Sequence, residues 1–315
     1  MIGFDIGGTK CAVCIGQESE QGLRILDKRV IPTDHSVSPY VMIERMCALA
    51  EEMTQNMDCI GISCGGPLDS RRGIIQSPPN LPGWDNVEIV AYLEKRYGCK
   101  VYLQNDANAC AVAEWKYGAG QGCRNMVFLT FGTGLGAGLI LNGQLYAGTT
   151  DMAGECGHIR LSPFGPVGYG KAGSFEGFCS GNGIAQIGRM QALEKLQMGE
   201  SVSYCPDMTQ LDQITAKKIA ECAGEGQEDA IKVFDTCGKM LGQGMSILID
   251  LLNPEKIVIG SIFQRSGHLL RGAMEQVIAE ECLAAARNAC QVVPALLEEN
   301  IGDYAALAVA ATGGN

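Results

Sequence analysis

Ile2-Gly3-Phe4-Asp5-Ile6-Gly7-Gly8-Thr9-Lys10-Cys11-Ala12-Val13-Cys14-Ile15-Gly16 is the stretch from which the fold class follows. Its two apolar runs, 2–6 and 11–16, have the length and bounding glycines of strands, so Gly7-Gly8-Thr9-Lys10 is a strand-to-strand turn. Glycines there leave backbone N–H groups free to face an anion, and Thr9 and Lys10 add side-chain donors. Asp5, ending the first strand, is placed to hold Mg2+ through water, as carboxylates do in phosphoryl-transfer sites. An ordinary hairpin with a surface lysine accounts for the same residues equally well. The pattern then recurs. Val127-Phe128-Leu129-Thr130-Phe131 reads as a strand, Gly132-Thr133-Gly134 as a turn, and Leu135 to Leu141 as a strand again. Two such turns, one per half, would clamp a polyphosphate from both sides. Neither is a Walker A loop or a dinucleotide fingerprint, because no helix opens on the required glycine spacing.

Outward from these turns, Leu23 to Val30 continues the meander, and Tyr40 to Asn56 sets Met42, Ile43, Met46, Leu49, Ala50 and Met53 at helical spacing. Cys59 to Ser63 is a buried strand. Ser77 to Trp84 is too proline-rich for a regular element and reads as a loop. Val87 to Tyr97 is a helix, Val101 to Gln104 a strand, and Ala107 to Tyr117 a helix. Further helices are expected over Leu211 to Ala223, Glu228 to Leu252, His268 to Ala286 and Ala305 to Ala311, with a buried strand at Lys256-Ile257-Val258-Ile259-Gly260. Strands alternating with helices make the chain α/β, in two related halves.

Composition narrows the function classes. The length of 315 residues suits roughly two domains, and 46% apolar with 19% charged residues supplies an ordinary globular core. The formal charge of −11 disfavours DNA, RNA and anionic lipid as partners. A small anion is still admissible, because backbone N–H groups hold phosphate without net positive charge. Glycine is abundant at 42 residues, concentrated at turns. The 15 cysteines, with no signal peptide ahead of the first strand, read as reduced thiols in a cytoplasmic protein. No apolar stretch is long enough to span a membrane.

Three further segments carry chemistry. Asn105-Asp106 sits between a strand and a helix, where a carboxylate is exposed for proton transfer; by spacing alone a helix N-cap explains it better. Gly154-Glu155-Cys156-Gly157-His158 contains one of only three histidines, and its glycines leave Glu155 and His158 accessible. With Glu176 they form a set suited to polyol hydroxyls, whereas His35 and His268 read as structural or surface residues. Gly260, ending its strand, would let an adenine lie against backbone, a weak signal taken singly. Cys11 and Cys14, three apart on a strand, point to opposite faces and form no metal or redox pair.

Together these segments resemble the ROK family of sugar kinases and sugar-responsive repressors, in the actin/hexokinase-like ATPase superfamily, essentially from end to end. Asp5-Ile-Gly-Gly-Thr-Lys10 is similar to its first phosphate motif and Gly132-Thr-Gly134 to its second. Gly65-Gly-Pro-Leu-Asp69 and Asn80-Leu-Pro-Gly-Trp84 look like its hinge-side and sugar-side loops. Asn105-Asp106-Ala-Asn108 resembles the segment with the catalytic aspartate, and Glu155-Cys-Gly-His158 the sugar-binding signature. The resemblance implies a two-lobed actin-like ATPase (ribonuclease H-like) fold, each lobe a mixed sheet flanked by helices. The small lobe would be 1–106 with a C-terminal helix at about 303–315, the large lobe 107–302, and the active site the cleft between them.

It further implies an ATP-dependent hexose kinase using Mg2+. ATP and its metal would be held by Asp5, Gly7, Gly8, Thr9, Lys10, Gly132, Thr133, Gly134 and Gly260. The sugar would be bound by Asn80, Asn105, Asp106, Glu155, His158 and Glu176, with Asp106 as general base. Glucose phosphorylated at C6 is the default; N-acetylmannosamine, N-acetylglucosamine or another hexose is the alternative, and a non-catalytic sensor or repressor is a third reading. A repressor would carry an N-terminal helix-turn-helix, for which four residues before Asp5 leave no room. A homodimer is expected. One departure stands out: the family's zinc cysteines are replaced by Val167, Tyr169 and Ser174, so no structural zinc is expected there and packing of Tyr169 and Phe175 would hold the loop.

Overall fold

The computed structural model describes residues 1–20, 22–297 and 300–314. Ile2–Ile6 (β1), Lys10–Ser19 (β2) and Gly22–Pro32 (β3) form the expected meander. Pro39–Met53 (α1) leads to Cys59–Cys64 (β4); a hairpin of Leu68–Asp69 (β5) and Ile74–Ile75 (β6) precedes Ile89–Tyr97 (α2) and Lys100–Asn105 (β7). The sheet order is β3-β2-β1-β4-β7, antiparallel through the meander and parallel from β1 to β7. Parallel neighbours need crossovers, which α1 and α2 supply. Ile2, Phe4, Ile6, Cys11 and Val13 share one core with Ile60, Ile62 and Met46, while Cys14 packs with Leu23 and Leu307 in another. The two cysteines therefore do face apart.

After Asp106–Tyr117 (α3) come Met126–Leu129 (β8), Ala137–Leu141 (β9) and Gln144–Leu145 (β10). Val167–Gly168 (β11) and Lys171–Ala172 (β12) form a short hairpin, followed by Phe175–Phe178 (α4), Gly181–Gln197 (α5), Ala216–Gly224 (α6) and Glu228–Leu252 (α7). Lys256–Ile259 (β13), Ile262–Glu281 (α8), Ala284–Ala289 (α9), Gln291–Pro294 (β14) and Ile301–Thr312 (α10) complete the chain. The second large sheet has the order β10-β9-β8-β13-β14, with β9 and β10 antiparallel and β13 and β14 parallel. Mixed sheets flanked by helices confirm the α/β reading.

The chain divides into two compact units, Met1–Phe128 with Gly138–Gly154 and Leu296–Asn315, and Leu129–Ala137 with Glu155–Ala295. In the first, the alanine-rich α10 lies directly on the sheet. A Cβ on Gly61 would come within 2.1 Å of the Ala306 carbonyl oxygen, and one on Gly3 within 2.9 Å of the Ala306 Cβ. In the second, α7 and α8 approach through Gly238 and Gly242, whose Cβ positions fall 2.7 and 2.6 Å from the Leu270 and Met274 carbonyls.

Some elements depart from the sequence reading. The helix expected from Leu211 is a 3-10 turn at Met208–Gln213 and then α6, because Ile214 is extended and the Thr215 side chain caps the new helix. The helix expected from His268 begins six residues earlier, at Ile262, and Cys282 ends it. Helix α5 and strand β14 were not anticipated: glycines at 181, 183 and 188 mask the first, and the second is four residues long. All 15 cysteines are free thiols, none of them exposed. Among the described residues, no helix is long and apolar enough to cross a membrane.

Candidate active site

The first unit builds its glycine turn with every carbonyl occupied. Gly7 N–H donates to the Lys10 carbonyl at 3.1 Å, and Thr33 N–H to that of Thr9 at 3.0 Å. The Thr33 hydroxyl donates to the Gly7 carbonyl at 2.6 Å, and His35 Nε2 meets the Gly8 carbonyl at 2.8 Å. With its acceptors taken, the turn offers donors, which is the polarity an anion requires. A Cβ on Gly8 would lie 2.3 Å from the Asn80 carbonyl oxygen, so the Ser77–Trp84 loop is seated on this turn and brings Asn80 to it. Thr9 and Lys10 are exposed.

Asp5 sits among carboxylates. Burial foremost, then the charges of Asp303 and Asp106, push its carboxyl up to about 6, with Lys10 and Lys28 opposing. A Cβ on Gly302, in the first turn of α10, would be 3.0 Å from Asp5 Oδ2, so that glycine admits the carboxylate. Beside it Asp303, 2% exposed, pairs with Lys28 Nζ at 2.5 Å and accepts from the Cys14 thiol at 3.1 Å. Asp303 is thus engaged by Lys28 and Cys14, which leaves Asp5 as the hard oxygen donor suited to a divalent cation such as Mg2+.

Asn105 and Asp106 divide the labour that spacing left ambiguous. Asn105 is the N-cap of α3, its Oδ1 accepting from Ala107 N–H at 3.0 Å, which leaves Asp106 as the first helical residue. The Asp106 side chain is reached by solvent, yet its surroundings are dense with protein, and desolvation raises its carboxyl despite the Ala107 N–H at 2.8 Å. A raised carboxylate at a helix N-terminus is a base with driving force for proton transfer. Gly65 keeps the space beside it open: a Cβ there would be 3.9 Å from Asp106 Oδ2.

The second unit holds the other turn between two helix N-termini. Gly181 N–H, at the start of α5, donates to the Gly132 carbonyl at 2.8 Å, and Ile262 N–H, at the start of α8, to that of Phe131 at 2.8 Å. Neither helix has an acidic residue in its first turn. A cavity of about 1060 Å³ opens here, lined by Gly132, Thr133, Ser180, Gly181, Ser261 and Arg265 among others. Aligned peptide dipoles and an arginine fit a polyphosphate. Gly260 is buried, its N–H donating to the Leu129 carbonyl at 3.0 Å; the neighbouring Ser261, at φ 54°, lines the cavity instead.

Glu176 is tied to the same turn: its Oε2 accepts from Leu135 N–H at 3.0 Å. The segment from Glu155 to His158 abuts it, because a Cβ on Gly157 would meet the Leu135 carbonyl at 2.0 Å and the Glu176 Cβ at 3.3 Å. Glu155 and His158 are exposed, and His158 ends a 3-10 turn. Thus Asn80, Asn105 and Asp106 belong to the first unit, and Glu155, His158 and Glu176 to the second.

The ROK family signature matches residues 1–312. The chain belongs to the ROK family. It is 30% identical to the glucokinase of Thermotoga maritima over 98% of this chain and 96% of that protein. The N-acetylmannosamine kinase of Salmonella typhi is also 30% identical, over 88% of this chain and 87% of that protein. Among solved structures, a ROK family glucokinase from Streptomyces griseus in complex with glucose and AMPPNP superposes with a TM-score of 0.77 at 29% identity, covering 99% of both chains. The two-sheet α/β architecture is accordingly the actin-like ATPase fold of ROK sugar kinases.

Within this ROK chain the altered loop is held by hydrogen bonds. Gln186 clamps Val167, its Oε1 accepting from the backbone N–H and its Nε2 donating to the carbonyl, both at 2.9 Å. Ser174 is buried and caps α4 by accepting from Gly177 N–H at 3.0 Å. Lys171 Nζ and the Arg160 guanidinium bind the carbonyls of His158 and Ala172, each at 2.7 Å. Phe175 packs as expected, buried against Gly244. Tyr169 does not: it stands exposed at φ 43°, so the expectation that its packing secures the loop is corrected. Among the described residues no cluster of three or more His, Cys, Asp or Glu is arranged for a metal ion. Thr33, Asp303, Ser261 and Arg265 carry no local signal because they lie remote in sequence from the turns and the carboxylate they serve, while His35, read as structural or surface, is an exposed residue that holds the Gly8 carbonyl.

Proposed function

We propose that this protein is an ATP-dependent sugar kinase that transfers the γ-phosphate of ATP to a hexose, with glucose at C6 as its acceptor. The observation that carries this reading is a solvent-reached carboxylate, Asp106, opening α3 with clear space beside it at Gly65, alongside two glycine turns whose carbonyls are taken up within the protein. Asp106 takes the proton of the attacking hydroxyl. Asn80, Asn105, Glu155, His158 and Glu176 hold the remaining hydroxyls. Gly7, Gly8, Thr9, Lys10, Gly132, Thr133 and Gly134 serve the nucleotide, with Ser261 in the cavity where Gly260 was expected, and Asp5 orients Mg2+ through water. When bound, Mg·ATP supplies the phosphoryl group and the charge neutralisation that its transfer needs.

Val167, Tyr169 and Ser174 offer no thiolate or imidazole, so the donor set there does not fit a tetrahedral zinc. We further infer the two-lobe division at residue 106, a cytoplasmic homodimer, and no nucleic-acid partner. N-acetylmannosamine is the alternative acceptor, favoured by the kinase relative named above.

A coupled ADP-release assay with Mg·ATP against a hexose panel tests the reading. Turnover is expected with glucose, and Asp106→Ala should lower kcat by about 10²–10⁴-fold, the range of a general base, while sparing glucose binding. Unchanged turnover in that variant removes Asp106 as the base. Preferred turnover of N-acetylmannosamine selects the alternative acceptor.

A further inference from the structure

Tyr169 has no part in the chemistry above, yet its placement is unusual. The β11–β12 hairpin pairs Gly168 with Lys171, so Tyr169 and Gly170 are its two central residues, at φ 43° and 75°. A turn with both residues in the left-handed region prefers Asn or Gly first, and a side chain such as tyrosine there carries a steric cost of about 1–2 kcal/mol. Packing does not offset it, because the side chain is 74% exposed. The ring lies edge-on to His158, with centroids 6.4 Å apart and planes at 75°. It also lines the cavity that holds Gly132, Thr133 and Glu176. An aromatic surface is therefore displayed, against the preference of its own turn, next to the imidazole and in the cavity of the phosphate turn.

We propose that Tyr169 is a sugar-contacting specificity residue whose ring takes the C–H face of the acceptor pyranose. This inference rests on the kinase reading. A hexopyranose is amphipathic: equatorial hydroxyls ring its rim, and axial C–H bonds cluster on its faces. Glu155, His158 and Glu176 answer the rim with carboxylates and an imidazole, but none of them offers an apolar surface. Tyr169 does, and ligand sites pair a few polar groups with such a surface. The acceptor class that follows is a pyranose with an unbroken C–H face, the glucose configuration.

Steady-state kinetics and calorimetric glucose titrations on the full chain test this with Tyr169→Asn and Tyr169→Phe. Tyr169→Asn is expected to raise the glucose KM and Kd about tenfold, the size of a lost aromatic contact. Its kcat and its KM for Mg·ATP should stay within about twofold, the signature of lost uniform binding. Its melting temperature should hold or rise, because Asn suits the turn. Tyr169→Phe should behave as wild type. An unchanged glucose KM and Kd in Tyr169→Asn overturns the inference, as does a rise in the ATP KM instead. A fall in melting temperature also overturns it, by making the ring a packing residue. A wild-type protein that neither binds nor phosphorylates any hexose overturns the kinase reading, and this inference with it; a wild type that does both, matched by Tyr169→Asn, overturns this inference alone.

Discussion

At Asp5 burial and two neighbouring carboxylates act in the same direction, both favouring the protonated side chain. Its carboxyl, at about 6, is raised above the ordinary 3.8, so the folded state holds its proton more tightly than the unfolded chain. The stability this contributes is fully present below pH 3.8 and is lost as pH rises through 6. Above that range the ionised side chain is a net cost, which Asp5→Asn removes. That variant should be more stable than wild type by up to about 3 kcal/mol at pH 7.5 and indistinguishable from it near pH 4, while losing phosphoryl transfer. Denaturant melts at the two pH values check this; equal stability at pH 7.5 contradicts it. Much of this residue scale was legible in the sequence. Asp5, Asp106 and both turns follow from local pattern and resemblance, because turn chemistry is encoded by adjacent residues. Asp303 was not legible: it reaches Asp5's neighbourhood from the far end of the chain, and only chain folding joins positions about 300 residues apart.

Among the elements, α10 shows what close packing demands. The helix is alanine-rich and the strands beneath it carry Gly3, Gly16 and Gly61, so backbone meets backbone. Gly61→Ala would drive a methyl to 2.1 Å from the Ala306 carbonyl, and neither helix nor strand can yield locally. It should destabilise by about 3 kcal/mol or more, at or above the upper end of ordinary overpacking. Gly272→Ala makes the opposite case: Gly272 lies inside α8 with nothing near its Cβ position, so alanine should stabilise by about 0.5–1 kcal/mol through helix propensity. Chemical denaturation of both variants compares them, and like signs would contradict the packing argument. Sequence pattern located α7 and β4 nearly to the residue because their apolar patterns are strong, and found α1 while carrying it past its end at Met53 to Asn56. It lost α5, whose glycines at 181, 183 and 188 lower helix propensity, although Gly183 and Gly188 are needed where Gly177 and Ile219 crowd the helix.

For the molecule as a whole, ligand binding and chemistry should separate. Glucose at a hundredfold excess over its Kd should stabilise the fold by about 2.7 kcal/mol, and Asp106→Asn should retain most of that shift while losing turnover. Differential scanning fluorimetry with and without glucose measures it; no shift in either protein argues against a hexose ligand. The sequence by itself determined the α/β class, the two glycine turns and the loss of thiolates at Val167, Tyr169 and Ser174. These are properties of residue type and short-range spacing. Only the tertiary structure decided that Asn105 rather than Asp106 caps α3, that Thr33 and His35 occupy the carbonyls of the first turn, and that Gln186 clamps the altered loop. It also turned Tyr169 from an expected packing residue into an exposed ring. Hydrogen-bond partners and exposure depend on which distant segments meet, and local spacing carries no record of that.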